Sequence, residues 1–276
     1  MLLQIKNMKI EKIKIISNID NLNKCGKYNR IYFGDEFCQM KNPQLKDLKY
    51  IVSNINNQKF SIVFPYLTEQ YLQQVKQLIS FISKYPAIFD EIIFNDWGLF
   101  YFIRKNYPDI KLVLGRLLTK QKTDPFATEI IANKQKIIAS ENNIFVPKKV
   151  SNEAVEYFSE TFINSKIFQK FMSNHNIVRV EIDNLNWDIK VNLPKNIKAS
   201  IYYPYVKIST TRFCGYLNML ENNCTKQCDK FNIELNKYRS QYNYIIKGNT
   251  VLFKNDKLPT IKQLEKNGVD RIILND

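Results

Sequence analysis

Short runs of apolar and β-branched residues, separated by stretches with helical spacing, constrain this chain more than any other feature of its sequence. IKIIS near Ile13, RIYFG ending at Gly34, FSIVF ending at Phe64, EIIFN ending at Asn95, KLVLG ending at Gly115, NIFVP ending at Pro147, VRVEID ending at Asp183 and ASIYY ending at Tyr203 each have the length and residue types of a buried strand. Between them, TEQYLQQVKQLISFISKY places apolar residues at helical spacing after Thr68, and NEAVEYFSETFINSKIFQKFM reads as one longer helix. Alternating strands and helices describe βα units and a parallel sheet. Eight such strands in 276 residues suit a TIM-barrel-like (β/α)8 fold of the α/β class, which commonly fills this length as one unit. LNWDIKVNLPKNIK, ahead of the eighth run, has no helical period, so the barrel is expected to be irregular or open there. YNYIIKGNTVLFKN then reads as a hairpin turning at Gly248 and Asn249. LPTIKQLEKNGVDRIILN reads as a helix from Pro259, stopped at Gly268, with a last short strand. No Ser/Gly linker, composition break or repeat divides the chain, which is read as a single domain over 1–276 with a C-terminal β-hairpin and helix extension.

Three of the five cysteines fall within fifteen residues, Cys214, Cys224 and Cys228, spaced C-x9-C-x3-C, while Cys25 and Cys38 lie far upstream. A free cysteine is often a small buried hydrophobe. Cys224 and Cys228, however, sit among Asn, Thr, Lys, Gln and Asp rather than in an apolar run, which favours a ligand role. Soft thiolates select zinc, copper(I) or iron-sulfur clusters, and a 4Fe-4S cube takes four of them. A structural zinc site usually has two short hooks, whereas here one x3 hook is joined by singletons. Ligation of a cluster by one distant and three grouped cysteines fits the pattern better, with zinc as the alternative.

Barrel topology supplies the distant ligand. Cys38 follows the second run by four residues, in a loop near 34–40, and Cys214 lies just beyond the eighth, in a loop near 210–230. If the eighth strand pairs with the first and the first with the second, both loops emerge side by side at the C-terminal face, where the active sites of such barrels are built. Cys25, in the connection returning to the second strand, is expected towards the opposite end. Other polar residues at strand ends share the rim as a candidate pocket: Asp35, Glu36, Asn95, Asp96, Arg116, Glu181 and Asp183, with Arg212 two residues before Cys214. Each also has a plainer role, Asp96 as a helix cap and Asp35 and Glu36 as solvated charges. Arg179, Glu181 and Asp183 alternate along one strand and share a face. His175, the only histidine, reads as a surface loop residue.

Composition bounds the partners. A formal charge of +15 suits an anionic partner such as RNA or a membrane surface, but the excess is spread thinly along the sequence. Seven glycines and no GxG pair exclude Gly-rich phosphate loops and the dinucleotide fingerprint. The start, MLLQIKNMKIEKIKIIS, breaks its apolar residues with lysines, so no membrane-spanning segment and a cytoplasmic location with reduced thiols are expected.

YFGDEFCQMKN, NDWG followed by LVLGRLLTKQKTDP, the strand end VEIDN and TTRFCGYLNMLENNCTKQC together resemble the peptidase U32 family (family U-32), and within it the UbiV-like proteins of oxygen-independent ubiquinone biosynthesis. The resemblance covers most of the chain. It implies a barrel-like fold and a 4Fe-4S cluster held by Cys38, Cys214, Cys224 and Cys228. It implies a role in an oxygen-independent hydroxylation of a quinone precursor, as one subunit beside a related U-32 partner in a heterodimer. Some relatives hydroxylate RNA bases, which keeps an RNA partner and an RNA-base hydroxylation factor as alternatives, with a zinc-stabilised binding module as a third. Members with hydroxylase or protease roles carry Glu, His and Gly shortly before the second cysteine. IYYPYVKISTTRFC has neither His nor Gly, which sets this chain nearer the UbiV-like branch. HExxH and GxSxG are absent, so peptidase chemistry is not expected.

Overall fold

A computed structural model describes residues 10–55, 57–123, 151–185, 189–216, 224–235 and 244–275, together with the backbone of two strands at 137–141 and 144–148. Eight parallel strands form a closed barrel. They are β1 (Glu11–Ile16), β2 (Arg30–Gly34), β3 (Lys59–Phe64), β4 (Phe89–Phe94), β5 (Lys111–Leu114), β8 (Ile177–Asp183), β9 (Lys198–Tyr203) and β14 (Val269–Leu274). The order around the barrel is β1-β14-β9-β8-β5-β4-β3-β2.

The strands of the barrel differ from the expectation in two places. The NIFVP run is β7 (Ile144–Lys148), which pairs antiparallel with β6 (Ile137–Glu141) in a separate two-stranded sheet. The eighth place is taken by the last strand of the chain. β14 lies between β9 and β1, pairing Leu274 with Tyr203 on one side and with Lys14 on the other. The barrel is therefore closed despite the irregular 189–197 stretch; residues 186–188 of that segment lie outside the described residues.

Helices cover the outside where their apolar spacing allows. α1 (Leu45–Asn54) begins with a reciprocal capping box between Gln44 and Asp47. α2 (Glu69–Ile82) buries Val75, Leu78, Ile79 and Ile82, the i, i+3, i+4, i+7 stripe of an amphipathic helix. α3 (Trp97–Asn106) is capped by the Asp96 carboxylate, which accepts from the Leu99 amide at 2.9 Å. The expected long helix after residue 151 breaks in two, α4 (Asn152–Ser159) and α5 (Lys166–Asn174), with a 3-10 turn at Phe162–Asn164 between them. The break follows from hydroxyl chemistry: the Ser165 side chain accepts from the Phe168 amide and starts a new helix. α6 (Ile261–Lys266) opens with a Thr260/Gln263 capping box and ends before Gly268 at φ +66°.

Between β9 and β14 the chain leaves the barrel to build a four-stranded sheet of order β10-β13-β12-β11, comprising β10 (Tyr205–Thr210), β11 (Ile233–Leu235), β12 (Tyr244–Lys247) and β13 (Thr250–Lys254). β12 and β13 are the hairpin legible in the sequence, turning through Gly248 at φ +64° and Asn249.

The barrel interior is layered. At the N-terminal end, Arg30 and Arg271 share the Glu91 carboxylate at 3.3 and 2.8 Å and both reach Glu11, while Arg30 also binds Asp90 at 2.5 Å. Arg179 binds Asp270 at 2.5 Å in the same region. Above them Ile13, Tyr32, Val63, Ile93, Val113, Tyr202 and Ile273 pack together, each from a different barrel strand. A separate, larger apolar layer lies between sheet and helices. Burial pushes the Glu91 carboxyl up, but Arg271 and Arg30 outweigh it and hold the group at about 2. Its stabilisation is thus complete above its ordinary value of 4.5 and is lost as pH falls towards 2. Glu91→Gln should lower unfolding free energy by about 3 kcal/mol at neutral pH. Denaturant titrations of both proteins at pH 7 and pH 3 should find the gap narrowing in acid; an equal gap at both would refute the assignment.

Candidate functional site

The C-terminal rim of the barrel is shaped first by the exit from β2. Gly34 has φ +130°, and a Cβ there would stand 2.2 Å from the Val63 carbonyl oxygen, so only glycine passes. The chain then turns on Asp35, whose carboxylate accepts from the amides of Phe37 and Cys38, both at 2.8 Å. Asp35 thereby fixes Cys38, and Glu36 is directed inwards, buried beneath the rim.

Arg116 receives Glu36. It follows β5 and is 1% exposed. Its Nε and Nη2 donate to the two Glu36 carboxylate oxygens at 2.7 and 2.5 Å. Nη1 donates to Asp183 Oδ1 at 2.5 Å and to the Tyr205 carbonyl at 3.0 Å. The guanidinium lies 3.9 Å from the Tyr202 ring centroid. The Asp183 carboxylate also accepts from the Lys207 amide at 2.9 Å. One cation thus ties the ends of β2, β5 and β8 to the start of β10. Burial depresses the Lys207 ammonium, against the pull of Asp183.

Glu181 sits one layer deeper, fully buried, and accepts from the Tyr202 hydroxyl at 2.8 Å. Burial first, and then the nearby Glu36 charge, raise its carboxyl to about 8. Arg179, Glu181 and Asp183 do share one face, and it is the barrel interior.

Asn95 and Asp96 have structural roles. Asn95 donates to the Phe64 carbonyl at 3.0 Å and accepts from the Leu117 amide at 3.1 Å, joining three strand ends. Asp96 caps α3 and also accepts from the Leu67 amide at 3.3 Å. Arg212 is exposed and stands outside the buried network. His175 caps α5, its ring 4.6 Å from that of Phe171.

The late cysteines reach this rim through the insertion between β9 and β14, rather than through direct pairing of the ASIYY strand with β1. Cys228, buried in a 3-10 turn at Gln227–Asp229, lies against Gly248, where a Cβ would be 3.5 Å from its sulfur. Burial raises the Cys228 thiol, the Lys41 ammonium opposes that shift, and Cys214 is close enough to add to it. Cys38 is pushed up to about 12 by burial, then by the Asp35 carboxylate, with a contribution from Cys224. Lys41, one lysine among many with no local pattern to mark it, joins the two loops. Its buried ammonium binds Asp229 at 2.6 Å and lies 3.8 Å from Asp35. Among the described residues, no three His, Cys, Asp or Glu side chains converge tightly enough to enclose a metal ion. Residues 217–223 of the cysteine-bearing stretch lie outside the described residues. The donor set itself is of the soft kind that iron-sulfur clusters and zinc take, and the Lys41–Asp229 contact and the Asn249 amide, which donates to the Phe37 carbonyl at 2.9 Å, hold the Cys228 side of the rim against the Cys38 loop.

A groove of about 860 Å3 opens beside the thiols, bounded by Cys38 and Cys228 and by the turn after β1. Cys25 stands towards the other end of the barrel as expected, its carbonyl accepting from Gln58 just ahead of β3 at 2.9 Å, and the 3-10 helix Ile19–Cys25 leading to it packs along the groove. Its thiol is 2% exposed, donates to the Asn21 carbonyl and belongs to the apolar layer outside the sheet.

No family model matches the chain, and no curated protein matches it. Solved structures similar to it include an immunomodulatory active chitinase from Trichuris suis, 11% identical over 97% of this chain and 92% of that one, with a TM-score of 0.32. A mutant GH18 chitinase from Cycas revoluta in complex with (GlcNAc)4 is 10% identical over 96% and 94%, with a TM-score of 0.30. At such values neither assigns a substrate to this chain.

The raised Glu181 carboxyl keeps its proton in the folded state up to about pH 8, whereas the unfolded group releases it near its ordinary 4.5. Its contribution to stability therefore falls as pH rises between those values. Glu181→Gln keeps an acceptor for Tyr202 and removes the titration. Relative to the parent, this variant should gain stability on the order of a few kcal/mol from pH 5 to pH 8, read by urea unfolding. A pH-independent difference would contradict the reading.

Proposed function

We propose that this chain is a 4Fe-4S protein of the U-32 kind that supports an oxygen-independent hydroxylation of a quinone precursor, acting as one subunit beside a related partner. The observation that supports it best is the meeting of the early and late loops at one rim, where Lys41 binds Asp229 beside Cys228 at 2.6 Å and Asn249 donates to the Phe37 carbonyl beside Cys38 at 2.9 Å. Cys38, Cys214, Cys224 and Cys228 would hold the cluster, which when bound would supply electron transfer. The residues of the chain prepare its site. Asp35 orients Cys38 through two backbone hydrogen bonds, and Lys41 draws the Cys228 turn onto the same loop. The Glu36–Arg116–Asp183 network holds the rim beneath them. The reaction and its substrate rest on the sequence resemblance described above.

Anaerobically purified protein should be brown, with absorbance near roughly 400 nm from thiolate-to-iron charge transfer. Cys228→Ala should abolish iron binding, whereas Cys25→Ala should leave iron content unchanged. Colourless protein carrying zinc would favour a metal-pinned binding module instead, and full iron in the Cys228 variant would sink the ligand assignment.

A further inference from the structure

We propose that the groove beside Cys38 and Cys228 binds a small anion carrying phosphate or carboxylate groups. Its wall is built from two sides by lysines: Lys24 and Lys27 on the connection after β1, and Lys226, Lys230 and Lys247 around the Cys228 turn and on β12. None of these five forms an ion pair with a described residue. Lys24 donates to Asn21 at 3.2 Å, and Lys27 lies over the Tyr28 ring at 5.3 Å.

The same wall carries three acids against these five lysines, and each acid already has a cationic neighbour. Asp35 and Asp229 face Lys41, and Glu36 is bound by Arg116. The groove therefore presents uncompensated positive charge in a concavity, where fields are focused and a counter-ion is concentrated. Lysine ammoniums on flexible stems suit phosphate or carboxylate oxygens without imposing one fixed geometry.

A groove of about 860 Å3 has room for a compact ligand. An extended nucleic acid would instead follow a basic stripe along a surface. Phe37, Tyr28 and Leu252 in the wall offer apolar surface to the body of such a molecule. As the substrate of chemistry at the thiols, the anion rests on the function proposed above. As a ligand of the groove, it stands on the lysines alone.

The test is isothermal titration of the anaerobically purified full chain with pyrophosphate and with citrate, at low and at physiological salt. Three double variants accompany the parent: Lys24→Glu/Lys27→Glu and Lys226→Glu/Lys230→Glu on the two walls, and Lys105→Glu/Lys166→Glu on exposed helix positions away from the groove. At least one probe should saturate a single site, more weakly at higher salt. Its dissociation constant should rise about tenfold or more in each groove variant and stay within about twofold in the control. The proposal is overturned if neither probe saturates, if the control loses as much as the groove variants, or if a short single-stranded RNA binds and neither small anion competes with it. Iron content, measured on the same samples, separates the two claims: anion binding by an iron-free parent protein would sink the cluster and keep the groove.

Discussion

β14 hydrogen-bonds to β1 on one side and to β9 on the other, and this double pairing closes the sheet. A parallel sheet open at that seam would expose two edges, whereas closure satisfies every strand laterally. The same pairing decides where the late cysteines go. The chain leaves the top of β9, builds the four-stranded sheet that flanks Cys214, Cys224 and Cys228, and returns through α6 to the bottom of the neighbouring strand. The early loop carrying Cys38 and Lys41 rises from β2, with β14 and β1 between it and β9, and the Lys41–Asp229 contact spans the gap.

The interior of the barrel is unusually charged for a packed core. Arginines Arg30, Arg271 and Arg179 lie at one end and Arg116 at the other, each against carboxylates. Buried ions add stability only when partners and remaining hydrogen bonds are satisfied, so these networks demand one register from every strand that contributes. Displacing β5 by one residue would withdraw Arg116 from Glu36 and Asp183 together. Tyr32, Tyr202 and Glu181 connect the two ends, Tyr32 accepting from Arg271 and Tyr202 lying under Arg116.

Much of this arrangement was legible in the residues. Runs such as RIYFG and FSIVF became barrel strands nearly to the residue, and the hairpin at Gly248 stands where its turn chemistry put it. NIFVP has the same local character, but membership of a barrel is decided by long-range pairing, which no local pattern encodes. RIILN, read as a terminal extra, became the closing strand for the same reason. Glu36, Arg116 and Asp183 were found because they end strands, a position that carries side chains to the rim. Asn95 and Asp96 share that position and serve the backbone instead, a distinction that depends on which amides lie unpaired nearby. Lys41 and Lys207 carried no signal, since one lysine among many is marked only by the carboxylates that fold around it.

The entry and exit of the inserted sheet rest on adjacent strands: Asn275 beside β14 donates its amide to the Tyr203 carbonyl, and the Ala199 amide donates to the Gly268 carbonyl. A segment anchored so is separable from the scaffold in an engineering sense. Residues 205–268 could be exchanged for another fold spanning the length of one strand, provided the graft kept Tyr205 and Lys207 on Arg116 and Asp183 and an apolar side chain in place of Leu264, and it would then bring its own ligands to the rim.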